Sequence, residues 1–291
     1  MHKLESFVVG CALAFAGCEA FDARAPNQVM PLASDVAPVT EGDWYRPPLA
    51  VTWQWQLFVN DDHPLNTSYD VDIYNVDLFN TSASTISSLQ AAGSKVICYF
   101  SAGTYEKDRA DRYQFNNNDL GAIVRGWASE RWLDIRSANV HRVMADRLEL
   151  AAKKGCDAVE PDNVQGYLED TGFALSAEEQ LAYNRFIANQ ARRRGLGVGL
   201  KNGLEQIAAL VDYYDFSINE QCFQYNECFH LMPFIQAGKP VLNVEYPKQD
   251  DDLSRDDPSI KALCNAAHRL KFSTLVLPVA LDDSFRVACL N

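Results

Sequence analysis

The sequence is poor in positive charge. Its 291 residues carry 26 Lys and Arg against 39 Asp and Glu, a formal net charge of −13. Binding to a nucleic-acid duplex or an anionic membrane needs a positive surface, so neither is expected as a partner. A cationic partner fits the balance better. Histidine is also scarce: the five are His2, His63, His141, His230 and His268, and no pair has the His-Glu-x-x-His spacing of a zinc hydrolase. His141 and His268 fall in helical patterns and are expected at the surface. The chain has no Gly-x-Gly-x-x-Gly, no phosphate loop and no Gly-x-Ser-x-Gly elbow, which argues against dinucleotide, nucleotide and serine-hydrolase chemistry. No cofactor is expected. Low-complexity tracts are missing too. A composition 47% hydrophobic and 22% charged, with 15 Gly and 12 Pro, excludes a disordered, collagenous or coiled-coil chain.

The apolar run Phe7–Ala16 is too short to cross a bilayer as a mature helix. It follows His2 and Lys3 and has the length of a signal-peptide core. Phe15-Ala16-Gly17-Cys18 resembles a bacterial lipobox, so residues 1–18 read as a signal peptide whose Cys18 is lipidated. The alternative is a plain secretory signal. Either route predicts export, as an outer-membrane lipoprotein or a secreted protein, with the membrane touched only through that anchor. Residues 19–42 carry Pro26, Pro31 and Pro38 without periodicity and read as a linker. Residues 43–291 then form one domain, expected to be monomeric.

Eight cysteines agree with an oxidising compartment. Setting aside Cys11 and Cys18 leaves an even set. Cys222 and Cys228 flank a short loop and are the natural first pair, and Cys264 with Cys289 is a possible second. Cys98 and Cys156 lie in apolar strand patterns and read as buried thiols. A metal site at Cys222, Cys228 and His230 lacks a fourth ligand at recognisable spacing, so no metal is expected.

Eight runs of strand length recur: Val51–Phe58, Val71–Leu78, Lys95–Ser101, Cys156–Glu160, Leu196–Lys201, Tyr214–Asn219, Pro240–Glu245 and Phe272–Pro278. Helical patterns lie between them. Ser82–Ala92 stops at Gly93, and Ala138–Lys154 stops at Gly155. Ser176–Arg194 opens with the capping box Ser176-Ala177-Glu178-Glu179. Leu204–Val211, Phe229–Ala237 and Pro258–Leu270 complete the series. Strand–helix alternation requires parallel strands, and eight units of this length predict a single-domain (β/α)8 TIM barrel. A doubly wound open sheet is the alternative. The stretch Ala102–Ser137, with Trp127 and Trp132, is expected as an insertion on the catalytic face.

In such a barrel the chemistry sits at the C-terminal ends of the strands. Polar residues collect there: Asp77, Glu160-Pro161-Asp162-Asn163, Lys201-Asn202, Asn219-Glu220 and Glu245-Tyr246. Period-two alternation puts Glu160 and Asp162 on one face. Two carboxylates so close repel unless a cation lies between, and Lys201 on the next strand is the candidate. Glu220 lies two strands beyond Asp162, on another wall of the mouth. Facing carboxylates suit glycoside hydrolysis. Trp53, Trp55, Tyr99, Trp127, Trp132 and Tyr246 could offer faces to sugar rings, although about half of such aromatics serve packing.

These motifs carry a resemblance. Trp53-Gln54-Trp55-Gln56-Leu57, Tyr74-Asn75-Val76-Asp77-Leu78-Phe79, Cys98-Tyr99-Phe100-Ser101-Ala102-Gly103, Glu160-Pro161-Asp162-Asn163, Lys201-Asn202 and Asn219-Glu220-Gln221-Cys222 resemble glycoside hydrolase family 114, the endo-α-1,4-polygalactosaminidases. The resemblance runs from Trp53 to Cys289 through all eight strands. It implies a (β/α)8 barrel that cleaves α-1,4-linked galactosamine polymers internally, with Asp162 as catalytic nucleophile and Glu220 as acid/base. Trp53, Asp77, Tyr99, Glu160, Asn163, Lys201, Asn202 and Tyr246 are the expected substrate-binding residues. Deacetylated galactosamine is cationic, so an acidic cleft would attract it. Two other readings stay open: a non-catalytic polysaccharide-binding lipoprotein, and a hydrolase of a related α-linked glycan rich in N-acetylgalactosamine.

Overall fold

A computed structural model describes residues 36–247 and 256–290. The signal peptide, Cys18 and residues 19–35 of the linker lie outside them. Eight parallel strands run in sequence order around one sheet: β1 (Trp53–Gln56), β2 (Ile73–Asp77), β3 (Lys95–Ser101), then, after three strands of the insertion, β7 (Ala158–Asp162), β8 (Gly197–Lys201), β9 (Phe216–Glu220), β10 (Val241–Glu245) and β11 (Ser273–Val276). A short β12 (Val287–Ala288) pairs antiparallel with β11. No ladder joins β1 to β11 among the described residues. Instead the Trp53 indole donates to Ser273 O at 2.9 Å, and Arg286 donates to Trp53 O at 2.8 Å. Leu57 N and Phe58 N both donate to Leu281 O. Side chains and the C-terminal segment thus span the seam of the barrel.

Strand parity separates two cores. Trp53, Trp55, Ile73, Ile97, Phe216, Ile218, Leu242 and Val244 fill the barrel interior. Gly199 leaves room there, since a Cβ on it would meet the Phe216 ring at 2.3 Å. Tyr74, Val76, Val96, Phe100, Val159, Val198 and Leu200 face outward onto the helices. These are α1 (Ala83–Ala91), α2 (Ala138–Lys154), α3 (Ala177–Arg192), the short α4 (Ile207–Leu210), α5 (Cys222–Tyr225) and α6 (Met232–Gln236), and α7 (Pro258–Leu270). Ser82, Ser137 and Ser176 cap α1, α2 and α3, and Gly155 ends α2 in the left-handed conformation.

The β1–β2 connection has no helix. Gln54 and Gln56 face outward there, so polar chain rather than an apolar helix covers them. Gln56 binds Pro64 O and Asn66 N, and Gln54 donates to Asp283 at 2.7 Å.

Several sequence-based expectations change. The insertion 102–137 holds a three-stranded antiparallel sheet of β4 (Thr104–Glu106), β6 (Trp127–Leu133) and β5 (Leu120–Val124), in that order. Cys98 and Cys156 are not free thiols but a disulfide, alongside the expected Cys222–Cys228 and Cys264–Cys289. Cys98 lies on β3 and Cys156 just before its neighbour β7, which brings their Cα atoms to 6.0 Å. Three disulfides agree with an exported protein. His141 is buried, not exposed: α2 turns it against α3, where it stacks on Phe186 and bonds Ile135 O. His268 is exposed, as expected, and its ring bonds Cys289 O. The end of the linker is docked as well. Val39 N donates to Asn189, and Arg192 donates to Val39 O, both residues of α3.

Candidate active site

The site forms where β7, β8 and β9 end side by side. Lys201, the last residue of β8, points inward between its neighbours. Its Nζ lies 3.5 Å from Glu160 and 3.3 Å from Asp162, both on β7, and 3.2 Å from Glu220 at the end of β9. The Trp55 ring lies 5.0 Å away on the β1 side. Lys201 is 3% and Glu160 0% exposed, whereas Asp162 and Glu220 are 16% and 26% exposed. Two carboxyls therefore face the mouth, and one ion pair lies beneath them.

Backbone conformation at the strand ends fixes these groups. Asn163 and Asn202 sit at φ 60° and 47°, the left-handed region that asparagine tolerates better than most residues. Asn163 N thereby reaches back to Asp162 Oδ1 at 2.6 Å, and its side chain donates to Ser101. Asn202 accepts from Glu220 N at 3.0 Å and donates to Glu220 Oε2 at 3.2 Å. Tyr99 OH donates to Asp162 Oδ2 at 3.2 Å, and Tyr246 OH donates to Glu220 Oε1. Asn75 donates to Glu160 Oε2 at 2.6 Å.

The electrostatics separate the three acids. Burial pushes the Glu160 carboxyl up to about 8, opposed by Lys201. Glu220 is also desolvated, but Lys201, Tyr246 and Asn202 more than offset this and hold it below the ordinary glutamate range. Burial opposes the Lys201 ammonium, yet Asp162, Glu220 and Glu160 together keep it charged. Burial, then Asp162, raises Tyr99, and burial, then Glu220, raises Tyr246, so both phenols stay protonated donors.

A sequence profile of glycoside hydrolase family GH114 matches residues 33–291. The chain belongs to glycoside hydrolase family 114. It is therefore a glycosidase. A crystal structure of Aspergillus fumigatus Ega3 in complex with galactosamine is similar at TM-score 0.79 and 42% identity, over 86% of this chain and 99% of that one. The glycoside hydrolase domain of PelA from Pseudomonas aeruginosa shares the fold at TM-score 0.62 and 16% identity, over 81% and 98%. An α-galactosidase from Thermus thermophilus shares it at TM-score 0.53 and 12% identity, over 80% of this chain and 58% of that one. No curated protein sequence matches the chain.

Within this family 114 barrel, six of the expected binding residues meet around the two carboxyls: Tyr99, Glu160, Asn163, Lys201, Asn202 and Tyr246. Glu160 and Lys201 lie beneath Asp162 and Glu220 rather than at the surface, so neither offers itself to a sugar. Trp53 does not belong to the cleft. It is 1% exposed, stacked on Trp55 and bonded across the seam, because an odd position on β1 points into the barrel core. Asp77 is committed elsewhere too: Arg109 pairs with it at 2.7 Å, and Phe79 N and Asn80 N donate to it.

Sequence reasoning missed Asn75 and Glu130. Asn75 has the inward parity of β2, a signal available in the sequence. Glu130 lies on β6, accepts from Thr104 at 2.9 Å, and is pushed up to about 7 by burial, opposed by that hydrogen bond and aided by Glu106 and Asp162. Nothing in the sequence marked the insertion as a sheet that brings an acid toward Asp162. Among the described residues no group of His, Cys, Asp and Glu is arranged to hold a metal.

Proposed function

We propose that this family 114 enzyme cleaves α-1,4-linked galactosamine-containing polysaccharide internally, with Asp162 as nucleophile and Glu220 as acid/base. One observation carries the assignment: two partly exposed carboxyls oppose each other across a single buried lysine at the C-terminal mouth of the barrel. Both carboxylate oxygens lie within 3.3 Å of one nitrogen, so they stand no farther apart than about twice that distance. That upper bound meets the lower edge of the separation, about 6.5–9.5 Å, that inverting enzymes need to fit a water. It accommodates the roughly 5 Å of retaining enzymes. We therefore propose retention.

In the first half-reaction an Asp162 oxygen bonds to the anomeric carbon. The bond from that carbon to the leaving oxygen breaks, and Glu220 gives that oxygen a proton. In the second, Glu220 takes a proton from water, the water oxygen bonds to the anomeric carbon, and the Asp162 ester bond breaks. Tyr99 and Asn163 hold Asp162, while Tyr246 and Asn202 hold Glu220. The substrate class rests on the Ega3 complex with galactosamine, the family and the net charge of −13.

The test incubates residues 33–291 with partly deacetylated α-1,4-galactosamine polymer and reads the products by mass spectrometry. Wild type is expected to release oligosaccharides of several lengths. Glu220→Gln is expected to lose about 10²–10⁴-fold in rate, the worth of a positioned general acid. Intact polymer with folded wild type would move the assignment to an N-acetylgalactosamine-rich glycan, if that polymer is cut, or to binding alone.

The finer localisation is an anchor at Cys18, supported by the lipobox-like Phe15–Cys18. The mass of the mature N-terminus checks it. A diacylglycerol-modified Cys18 is expected, and an unmodified N-terminus would leave a secreted protein. The acting unit is proposed to be a monomer.

A further inference from the structure

Lys201 is placed unlike a substrate ligand. It is 3% exposed and touches both catalytic carboxyls at nearly equal distance, 3.3 and 3.2 Å. The groups that face this cluster include Glu130 of β6, whose carboxyl interacts with Asp162. Glu160 and Asp162 come from β7, Glu220 from β9 and the Trp55 ring from β1. Tyr99 and Tyr246 donate to the two carboxyls from either side, and Asn75 donates to Glu160 from below. Lys201 is the sole cation among them.

In the open site, water helps one ammonium support two carboxylates. Once a polymer covers the mouth and excludes water, the interaction between the remaining charges strengthens. A lone buried ammonium then balances one carboxylate, and the second binds a proton. We infer that Lys201 is a positioning residue that supplies the counter-charge to whichever of the two catalytic carboxyls is ionised and hands its ion pairing from Asp162 to Glu220 as the reaction proceeds.

The inference rests on the assignment of Asp162 and Glu220 proposed above, and its charges balance through the cycle. Before attack, Asp162 is ionised beside Lys201 and Glu220 carries the proton. In the glycosyl-enzyme, Asp162 is a neutral ester and Glu220, having released its proton to the leaving oxygen, is ionised beside the same ammonium. Hydrolysis reverses the exchange. Lys201 keeps its own proton throughout and needs no rotation of its side chain, because both partners are already within reach.

The test compares Lys201→Met with the double variant Lys201→Met/Glu160→Gln on the aminated polymer, with full pH profiles of kcat/KM and thermal melts. Lys201→Met is expected to lower kcat by about 10²-fold or more, the scale of losing one preorganised electrostatic partner. KM should stay within about threefold, because Lys201 lies beneath the cleft. Without the cation both carboxyls ionise less readily, so the whole bell-shaped profile should move at least about one unit to higher pH. Should Lys201→Met melt early, the double variant, which removes the unpaired buried acid as well, is expected to restore the melt but not the rate or the bell.

Near-wild-type kcat in Lys201→Met, or a bell that does not move, would overturn the inference. Failure of wild type to cut the polymer overturns the functional assignment instead, so the two failures are distinct.

Discussion

Replacing Asp162 by Asn is expected to reduce kcat by about 10⁴-fold or more while leaving the fold intact. The loss of a nucleophile in a cooperating catalytic group is worth this much, and single removals can cost nearly as much as removing the whole group. Asparagine matches the shape of aspartate, and its single oxygen can still accept from one of Tyr99 and Asn163, which bond different carboxyl oxygens at 3.2 and 2.6 Å. It also removes one of three acids crowded around Lys201, so like-charge repulsion falls rather than rises. Progress curves on the polymer and a thermal melt decide the matter. A variant with even one-tenth of wild-type kcat would sink the nucleophile assignment.

The second large effect is expected at a residue without a side chain. Gly103 lies just past the end of β3, where Ala102 N and Gly103 N both donate to Asp162 O. A Cβ at this position would sit 1.8 Å from Asn163 O. That obstacle is backbone, so no rotamer change relieves it. The β7 end must move away, and Asp162 and Asn163 must move with it. Gly103 O also accepts from Leu133 N of the insertion sheet, which resists a shift in the other direction. Gly103→Ala is therefore expected to lose about 1–3 kcal/mol of stability, the usual range for overpacking. A displacement of the nucleophile by about 1 Å costs on the order of 10²-fold in rate. Urea unfolding and kcat on the same preparation test both parts. Wild-type activity in a folded Gly103→Ala variant would mean that this close approach does not set the position of Asp162.

The two predictions draw on different kinds of information. Asp162 was readable from its place after an apolar run and its period-two relation to Glu160. Gly103 was not, because only the packing of β3 against β7 reveals what its missing Cβ would strike. The same division runs through the fold. The helices Ala138–Lys154 and Pro258–Leu270 were legible to the residue, since a serine cap and a left-handed glycine bound one, and an N-terminal proline and a strong apolar stripe define the other. Ala102–Ser137 was legible only as something other than a barrel unit. Its strands are short and partly exposed, and their pairing depends on Leu133 docking onto Gly103.

Trp53 and Asp77 mark where reading polarity and aromaticity at strand ends misleads. Trp53 opens β1, at the end of the strand away from the mouth, and belongs to the seam between β1 and β11. Asp77 stands at a strand end but is neutralised by Arg109, 32 residues later, in the insertion. Cys98 and Cys156 belong with them. Each looked like an ordinary buried residue until β3 and β7 became neighbours.

By itself the sequence determined the order of strands and helices, the local caps, the short-range disulfide Cys222–Cys228 and the carboxyl, amide and amine groups at successive strand ends. Those features are set by nearest neighbours and by periodicity, which one chain carries within about ten residues. Only the tertiary structure decided that β7, β8 and β9 deliver Glu160, Asp162, Lys201 and Glu220 to one point, with Asn75 and Trp55 beside them. Parity along a strand tells which side chains share a face. Which face looks into the barrel, and how high each residue stands in it, follows from the curl of the whole sheet, a property that no single strand encodes.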